Sequence, residues 1–169
     1  VTLFSQANAE QQALINKHLG AVIAQAHNTA HLFNDLNAAA LEDGVLIYVP
    51  RNQALSQALQ LSYLTSSDSQ AVTINTRILL VMETSSEALI VEQYASDNAD
   101  QVSFTNALTE IVIGDNARLQ HYRLQTMQEQ AQHIGAVHID LARDSQYNAF
   151  YLSLGSRLTR NDVVVNHNV

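Results

Sequence analysis

Residues 117–125 read ARLQHYRLQ, and residues 145–152 read SQYNAFYL. The first stretch begins as an alternating strand, with Ala117 and Leu119 on one face and Arg118 and Gln120 on the other. The apolar parity then slips, because Tyr122 and Leu124 are out of phase with Leu119. The second stretch slips in the same way: Ser145 and Tyr147 share one parity, Phe150 and Leu152 the other. Laid over each other at an offset of 28, Leu119 falls on Tyr147, His121 on Ala149, Tyr122 on Phe150 and Leu124 on Leu152. A fainter copy begins at Ser86, at an offset of 31 from Ala117, and sets Ala88 on Leu119 and Val91 on Tyr122. Turn formers precede each copy: TS, GDN and RD.

Short strands recurring at these two offsets, with tight corners between them, predict a solenoid. A parity slip is what a corner or bulge produces, since one extra residue re-aims every later side chain. His121, at the slip, accordingly reads as a corner residue rather than a ligand. An antiparallel sandwich is the alternative, but it requires no register match between the two stretches.

The flanking sequence fits this frame. From about Asn8 to Asp43 the chain is rich in Ala, Leu and Gln. Leu14, Leu19, Val22, Ile23 and Ala26, then Leu32, Phe33, Leu36, Ala40 and Leu41, recur at helical spacing. Gly44 is a natural helix stop. We therefore divide the chain into an N-terminal helical segment, 1–43, and a β domain, 44–169. After Gly44 come VLIYVP, INTRILLVMETS, EALIVEQY, ALTEIVIG, ARLQHYRL, GAVHIDLA, QYNAFYLSLG and RLTRNDVVVNHNV, none with convincing helical length. The chain starts at Val1 and stops within a strand pattern, which suggests part of something longer.

Composition narrows the function. The net charge is −8 with eight Lys plus Arg, so no basic stripe exists to meet nucleic acid. There is no cysteine, hence no thiolate nucleophile or Cys metal site. No apolar run approaches the roughly 18 residues of a membrane span, and no signal peptide opens the chain, so a soluble cytoplasmic protein is expected. Asn and Gln number 14 and 16, and amide side chains suit stacked strands, where they can bond rung to rung.

Candidate chemistry is sparse. His27 and His31 lie four apart on a helix and could share a metal, but no third ligand accompanies them. His133 and His138, five apart, fall on opposite faces of a strand. Asp140 and Asp144 share parity without converging, and Glu92 and Glu110 read as outward or locally paired. LGSRLTRND, Leu154 to Asp162, reads as a corner between coils, or as an anion or partner site. Neither a G-x-x-x-x-G-K-[ST] nor a G-x-S-x-G motif is present.

Leu32 to Pro50, LFNDLNAAALEDGVLIYVP, is similar to the entry into the β domain of the SufB/SufD family of the SUF iron–sulfur cluster assembly system. Phe33, Leu36, Asn37, Ala39, Asp43, Gly44, Ile47, Val49 and Pro50 carry that likeness. The following strand pair, with Arg77, Ser86 and Glu92, and the next two coils, through Glu110, Asn116, Ala117, Asp144, Ser145, Gly155, Arg160, Asn161 and Asp162, extend it to the end in order. Within the family the SufD branch is the better match, because EQYAS lacks the cysteine that SufB-like chains carry after the Glu92 position. LQTM likewise replaces their Asn-Trp pair. The resemblance implies a right-handed parallel β-helix after an N-terminal α-helical segment, acting as a non-catalytic scaffold with SufB-like and SufC-like subunits. It implies a complex that handles an iron–sulfur cluster and a flavin, with the family's functional positions beyond Val169. No residue here is therefore expected to be catalytic, cofactor-binding or metal-ligating. The other readings are a β-solenoid polysaccharide lyase or hydrolase, and a purely structural solenoid. Pairing of end strands into a homodimer is also expected.

Overall fold

The computed structural model describes residues 1–25, 32–66, 71–97, 100 and 102–168. Its strands alternate between two parallel sheets. One holds β2 (Val45–Val49), β4 (Val72–Met82), β6 (Ser103–Ile113), β8 (Ala131–Leu141) and β10 (Leu158–His167). The other holds β3 (Leu59–Thr65), β5 (Glu87–Ser96), β7 (Arg118–Met127) and β9 (Gln146–Gly155). A two-residue β1 (Thr2–Leu3) pairs antiparallel to β2. Each coil lays a strand on the first sheet, turns a corner, lays one on the second and loops back. This is a parallel β-solenoid, and the strands stack in the register that the sequence offsets predict. Leu119 pairs with Tyr147, His121 with Ala149 and Leu124 with Leu152, while Ala88 pairs with Leu119 and Val91 with Tyr122.

Coils shorten along the chain while the ladders stay unbroken. Val45 pairs with Ile78, Val72 with Ser103, Ser103 with Ala131 and Gln132 with Leu158, each partner nearer in sequence than the one before.

The tight corners repeat one conformation. Asn52, Ser85, Asn116 and Asp144 have φ of 57°, 58°, 55° and 58°, in the left-handed region that Asn and Asp tolerate best. The corners also bond to one another: the Ser85 amide donates to the Asp115 carbonyl and the Asn116 amide to the Arg143 carbonyl, both at 2.9 Å. The turn formers that open each repeat are thus the corners themselves.

The slip at His121 is not a bulge. Burial in β7 alternates without a break: Leu119, His121, Arg123, Gln125 and Met127 face in, while Arg118, Gln120 and Thr126 are exposed. The strand keeps its phase and its inward row changes from apolar to polar. His121 is therefore an interior residue at 1% exposure, not a corner.

The interior is correspondingly divided. Next to the tight corners it is aliphatic, with Ile78, Leu80, Met82, Ile90, Ile111, Ile113, Leu119, Val137 and Ile139 in one cluster. Toward the loops it turns polar, and Glu92, His121, Arg123, Gln125 and His133 are buried there.

Helices cover the outside of the first sheet. α1 (Ala9–His18) starts at Asn8, whose side chain accepts from the Gln11 amide while Gln11 bonds back to the Asn8 amide, a capping box. Its Ile15 packs on Leu46, Leu79 and Val81. A five-residue α2 (Ala21–Gln25) follows, then α3 (Leu32–Ala39). The apolar stripe expected on α3 meets the sheet only through Phe33, whose ring lies 6.1 Å from that of Phe104 in β6; Leu32 is 73% exposed and Leu36 41%, whereas Asn34 and Asn37 are buried. Asn37 Nδ2 donates to the Thr76 and Asn106 carbonyls, so the helix docks by satisfying sheet backbone.

Candidate functional site

Inside the coils, three successive strands build one polar column. β5 contributes Glu92 and Tyr94, β7 His121 and Arg123, and β9 Tyr147 and Tyr151. Stacking explains the pairing, because Glu92 and Arg123 are register partners on neighbouring rungs. Both point inward and are buried to 1% and 2% exposure. The guanidinium grips Glu92 Oε2 through Nε at 3.0 Å and Nη2 at 2.8 Å, a two-pronged contact suited to a buried charge pair.

Glu92 is fully engaged. Tyr94 donates its hydroxyl to Oε2 at 2.9 Å, Thr109 donates to Oε1 at 2.9 Å, and His121 Nε2 lies 2.8 Å from Oε1. Together with the two Arg123 bonds, these contacts fill a group that offers about four lone-pair sites. Burial alone would raise the Glu92 pKa, but the Arg123 charge, His121 and the bond from Thr109 hold it well below the usual carboxylate range. An anion so satisfied has no lone pair for a metal and no vacancy for a substrate proton. From His121 the column continues outward. Its Nδ1 lies 2.9 Å from the Tyr147 hydroxyl, which lies 2.6 Å from that of Tyr151. Arg123 also sits over the Tyr94 and Tyr151 rings, at 5.6 and 5.8 Å.

His133 stands beside this column, its ring 4.8 Å from that of Tyr94. Burial first, then the Arg123 charge, push its pKa down to about 4, so it is neutral at pH 7. Gly135, in the same strand, makes room for the group. A methyl there would meet Arg123 Nη1 at 2.6 Å, Asn161 Oδ1 at 2.8 Å and His133 Nε2 at 3.1 Å.

A second ion pair sits on the outer side of the first sheet. Arg77 Nη2 reaches Glu110 Oε1 at 2.5 Å, and Arg77 Nη1 donates to Asn37 Oδ1 at 3.1 Å. The Gly20 amide, entering α2, donates to both Glu110 oxygens at 2.8 and 3.0 Å. This pair ties the helices to the coils. Burial raises the Glu110 pKa, outweighing Arg77 and the Gly20 amide.

Of the expectations for Glu92 and Glu110, pairing holds for both and solvent exposure for neither: Glu92 faces into the coils beside its register partner Arg123, while Glu110 faces the helices on the outer side of its sheet and is bound to Arg77. The register holds the signal that finds the first pair: the offset that sets Ala88 on Leu119 also sets Glu92 on Arg123. His133 and His138 do lie on opposite faces. His138 Nε2 is 3.0 Å from Asn34 Nδ2 on the helix side, while His133 looks into the coils. Asp140 and Asp144 stay apart, Asp140 accepting from Asn166 Nδ2 at 2.8 Å and Asp144 lying exposed at a corner. In LGSRLTRND, Gly155 and Ser156 take φ of 74° and 63° and make the corner, and Arg160 Nε bonds Asp162 at 2.9 Å. His167 ends β10 opposite Leu141. His27 and His31 lie outside the described residues. Among the described residues no three of His, Cys, Asp and Glu gather as a metal site, and no helix is long and apolar enough to cross a membrane.

Comparison with known proteins gives these coils a lineage. Residues 63–168 match the family model described as SUF system FeS cluster assembly, SufBD core domain, and residues 1–61 match the SufBD protein N-terminal region. The chain belongs to the SufB/SufD family. A SufBD family protein of Synechocystis, described as acting in iron–sulfur cluster assembly, is 27% identical over 162 residues. The match covers 92% of this chain and 35% of that protein. The Arabidopsis protein ABCI7, chloroplastic, is 27% identical over 143 residues, covering 82% of this chain and 30% of its own. The SufD protein of Bacillus subtilis is 31% identical over 87 residues, 52% of this chain and 20% of its own. The chain thus spans about a third or less of the length of these curated relatives.

Proposed function

We propose that this SufB/SufD chain serves as a non-catalytic scaffold of the SUF system, on the SufD side of the family, and works with a SufB-like and a SufC-like subunit. The observation that carries the reading is the match of residues 63–168, nearly all the stacked coils, to the SufBD core. The chemistry of the interior supports it. The buried carboxylate is saturated by its own neighbours, as suits a residue that stiffens a stack rather than one that turns over substrate.

The cluster would be cargo rather than a resident group. The described residues do not fit direct cluster ligation, since they offer no thiolate and both Glu92 oxygens are occupied. Nor do they fit the flavin implied by the family. Tyr63 and Tyr94, whose faces could sandwich its ring, stack on each other at 5.1 Å.

Co-purification tests the proposal. The full-length gene product, tagged and co-expressed with SufB and SufC of the same organism, is expected to retain both through a salt wash. Failure to retain either would sink it. Activity on pectin-like polysaccharide would instead favour a carbohydrate-active solenoid.

A further inference from the structure

The polar half of the lumen, the interior of the coils, holds buried polar atoms that the chain itself does not satisfy. Among the described residues, Thr105 Oγ1, Gln125 Oε1, Asn161 Oδ1 and both ring nitrogens of His133 have no hydrogen-bond partner in the protein. Such groups are costly to bury bare, and several in one place call for a ligand. Thr105, Gln125 and His133 stand on β6, β7 and β8, each of which has a neighbouring strand on both sides. Their want of partners is therefore a property of the middle of the stack and not of either end.

Register explains why these groups miss one another and what fits between them. Thr105 and His133 are register partners, and neighbouring rungs lie about 4.8 Å apart. That span is too long for a direct hydrogen bond and suits one bridging water, about 2.8 Å from each side. The next inward row supplies room, because Ala107 and Gly135 are partners there and Asn161 follows Gly135. Arg123 Nη1, Asn161 Oδ1 and His133 Nε2 all come within 3.1 Å of the point that a methyl on Gly135 would occupy. Gln125 borders the same space: its Nε2 donates to Thr159 Oγ1 at 2.7 Å, and Thr159 is the register partner of His133. Toward the first coils, a cavity of about 220 Å³ lies against Thr105, Thr76, Tyr94 and Tyr63.

The unpartnered atoms also fix the chemistry of the ligand. The amide oxygens of Gln125 and Asn161 only accept, the Thr105 hydroxyl does either, and a neutral His133 offers one donor and one acceptor. An anion would face the two amide oxygens, and a cation would face Arg123. The ligand must be uncharged, must both donate and accept, and must fit between rungs, which describes water. A polar space with two to four partners holds water, whereas an apolar one stays dry. We propose that the solenoid binds a file of water along the polar half of its lumen, bridging Thr105 to His133 and reaching Gln125, Asn161 and Arg123 Nη1. The file hydrates the Glu92–Arg123 pair from within and stops where the lumen turns aliphatic, at Ile111 and Val137. This inference stands apart from the assignment to cluster assembly, because it rests on the lumen alone.

A high-resolution crystal structure of the full-length protein tests the file directly. Water oxygens are expected within hydrogen-bond distance of Thr105 Oγ1 and of a His133 nitrogen. Oxygen-17 relaxation dispersion reads the same waters in solution. Thr105→Val keeps the shape of the side chain and removes its hydroxyl, so it should abolish a long-lived water and lower the melting temperature. A bare hydroxyl would give the opposite sign, since removing an unsatisfied buried group stabilises. A dry lumen, an ion or larger molecule spanning these atoms, an unchanged count of long-lived waters in Thr105→Val, or a raised melting temperature would each overturn the proposal. Should Thr105→Val fail to fold, the density beside Thr105 and His133 in the unaltered protein still decides it.

Discussion

Arg123 lies one rung from Glu92 in the same ladder, and its Nη2 closes on Glu92 Oε2 at 2.8 Å with both side chains sealed from solvent. Removing either partner would strand the other. Glu92→Gln is expected to destabilise the fold by about 3–5 kcal/mol, the usual cost of an unpaired buried charge. Glu92→Leu with Arg123→Met should recover much of that loss. Urea unfolding of the single and double variants measures both, and a purely additive cycle would show that the pair is not coupled.

Gly135→Ala should lower stability although glycine is a poor strand residue. The new methyl would lie 2.6 Å from Arg123 Nη1 and 2.8 Å from Asn161 Oδ1, so the charged column would have to shift. Overpacking of this kind costs about 1–3 kcal/mol. An unchanged or raised melting temperature would contradict it.

His133 sets a pH dependence with a definite sign. Its folded pKa is about 4 against 6.5 in the unfolded chain, so between those values the unfolded state binds the extra proton. Stability should therefore fall as pH drops from about 6.5 toward 4, by up to about 3 kcal/mol from this residue. His18, lowered by burial and by Lys17, adds in the same direction. Glu92 adds its own loss only below the ordinary carboxylate range. Unfolding curves at pH 7 and pH 5 should converge in His133→Asn, relative to the unaltered protein. Equal slopes in the two proteins would rule out this role for His133.

The chain as given should self-associate through its end strands. β9 and β10 end their sheets, and Val163 and Val165, in register with interior Val137 and Ile139, are 44% and 39% exposed. Light scattering behind size exclusion should show a dimer that Val163→Lys and Val165→Lys together dissolve. A monomer at high concentration would refute this.

Legibility in the sequence followed the kind of signal. Register was readable, because stacked parallel coils impose one spacing on every position they share, and Leu119 on Tyr147 needed only the offset. Facing was misread, because apolarity stood in for burial. That substitution works for Leu119 and fails at His121 and Arg123, whose partners sit on other coils and are invisible within one strand. β3 was absent from the strands expected, although Leu59, Leu61 and Tyr63 alternate cleanly on its inward side. Reading apolarity as burial also misplaced much of α3, where Asn37 rather than Leu36 meets the sheet and donates to the Thr76 and Asn106 carbonyls. The tight corners were legible as turn formers, and only the structure shows that each needs a residue with positive φ.

The two seams of the solenoid obey different rules. The coil that leads from Val45 to Ile78 is longer than the one that leads from Gln132 to Leu158, yet each ladder stays in step. From β4 onward the variation is absorbed where the chain returns from β5, β7 and β9, while the seam carrying Ser85, Asn116 and Asp144 keeps one form; only the first coil differs, taking up its extra length between Ala54 and Leu59. A residue added on the returning side would lengthen a loop and leave each rung in place. The same residue added beside Asn116 would turn over the whole of β7, exporting His121 and Arg123 to solvent and drawing Gln120 and Tyr122 in. Change in such a protein is therefore tolerated along one side and ruinous along the other, and drift between lineages should gather on the tolerant side.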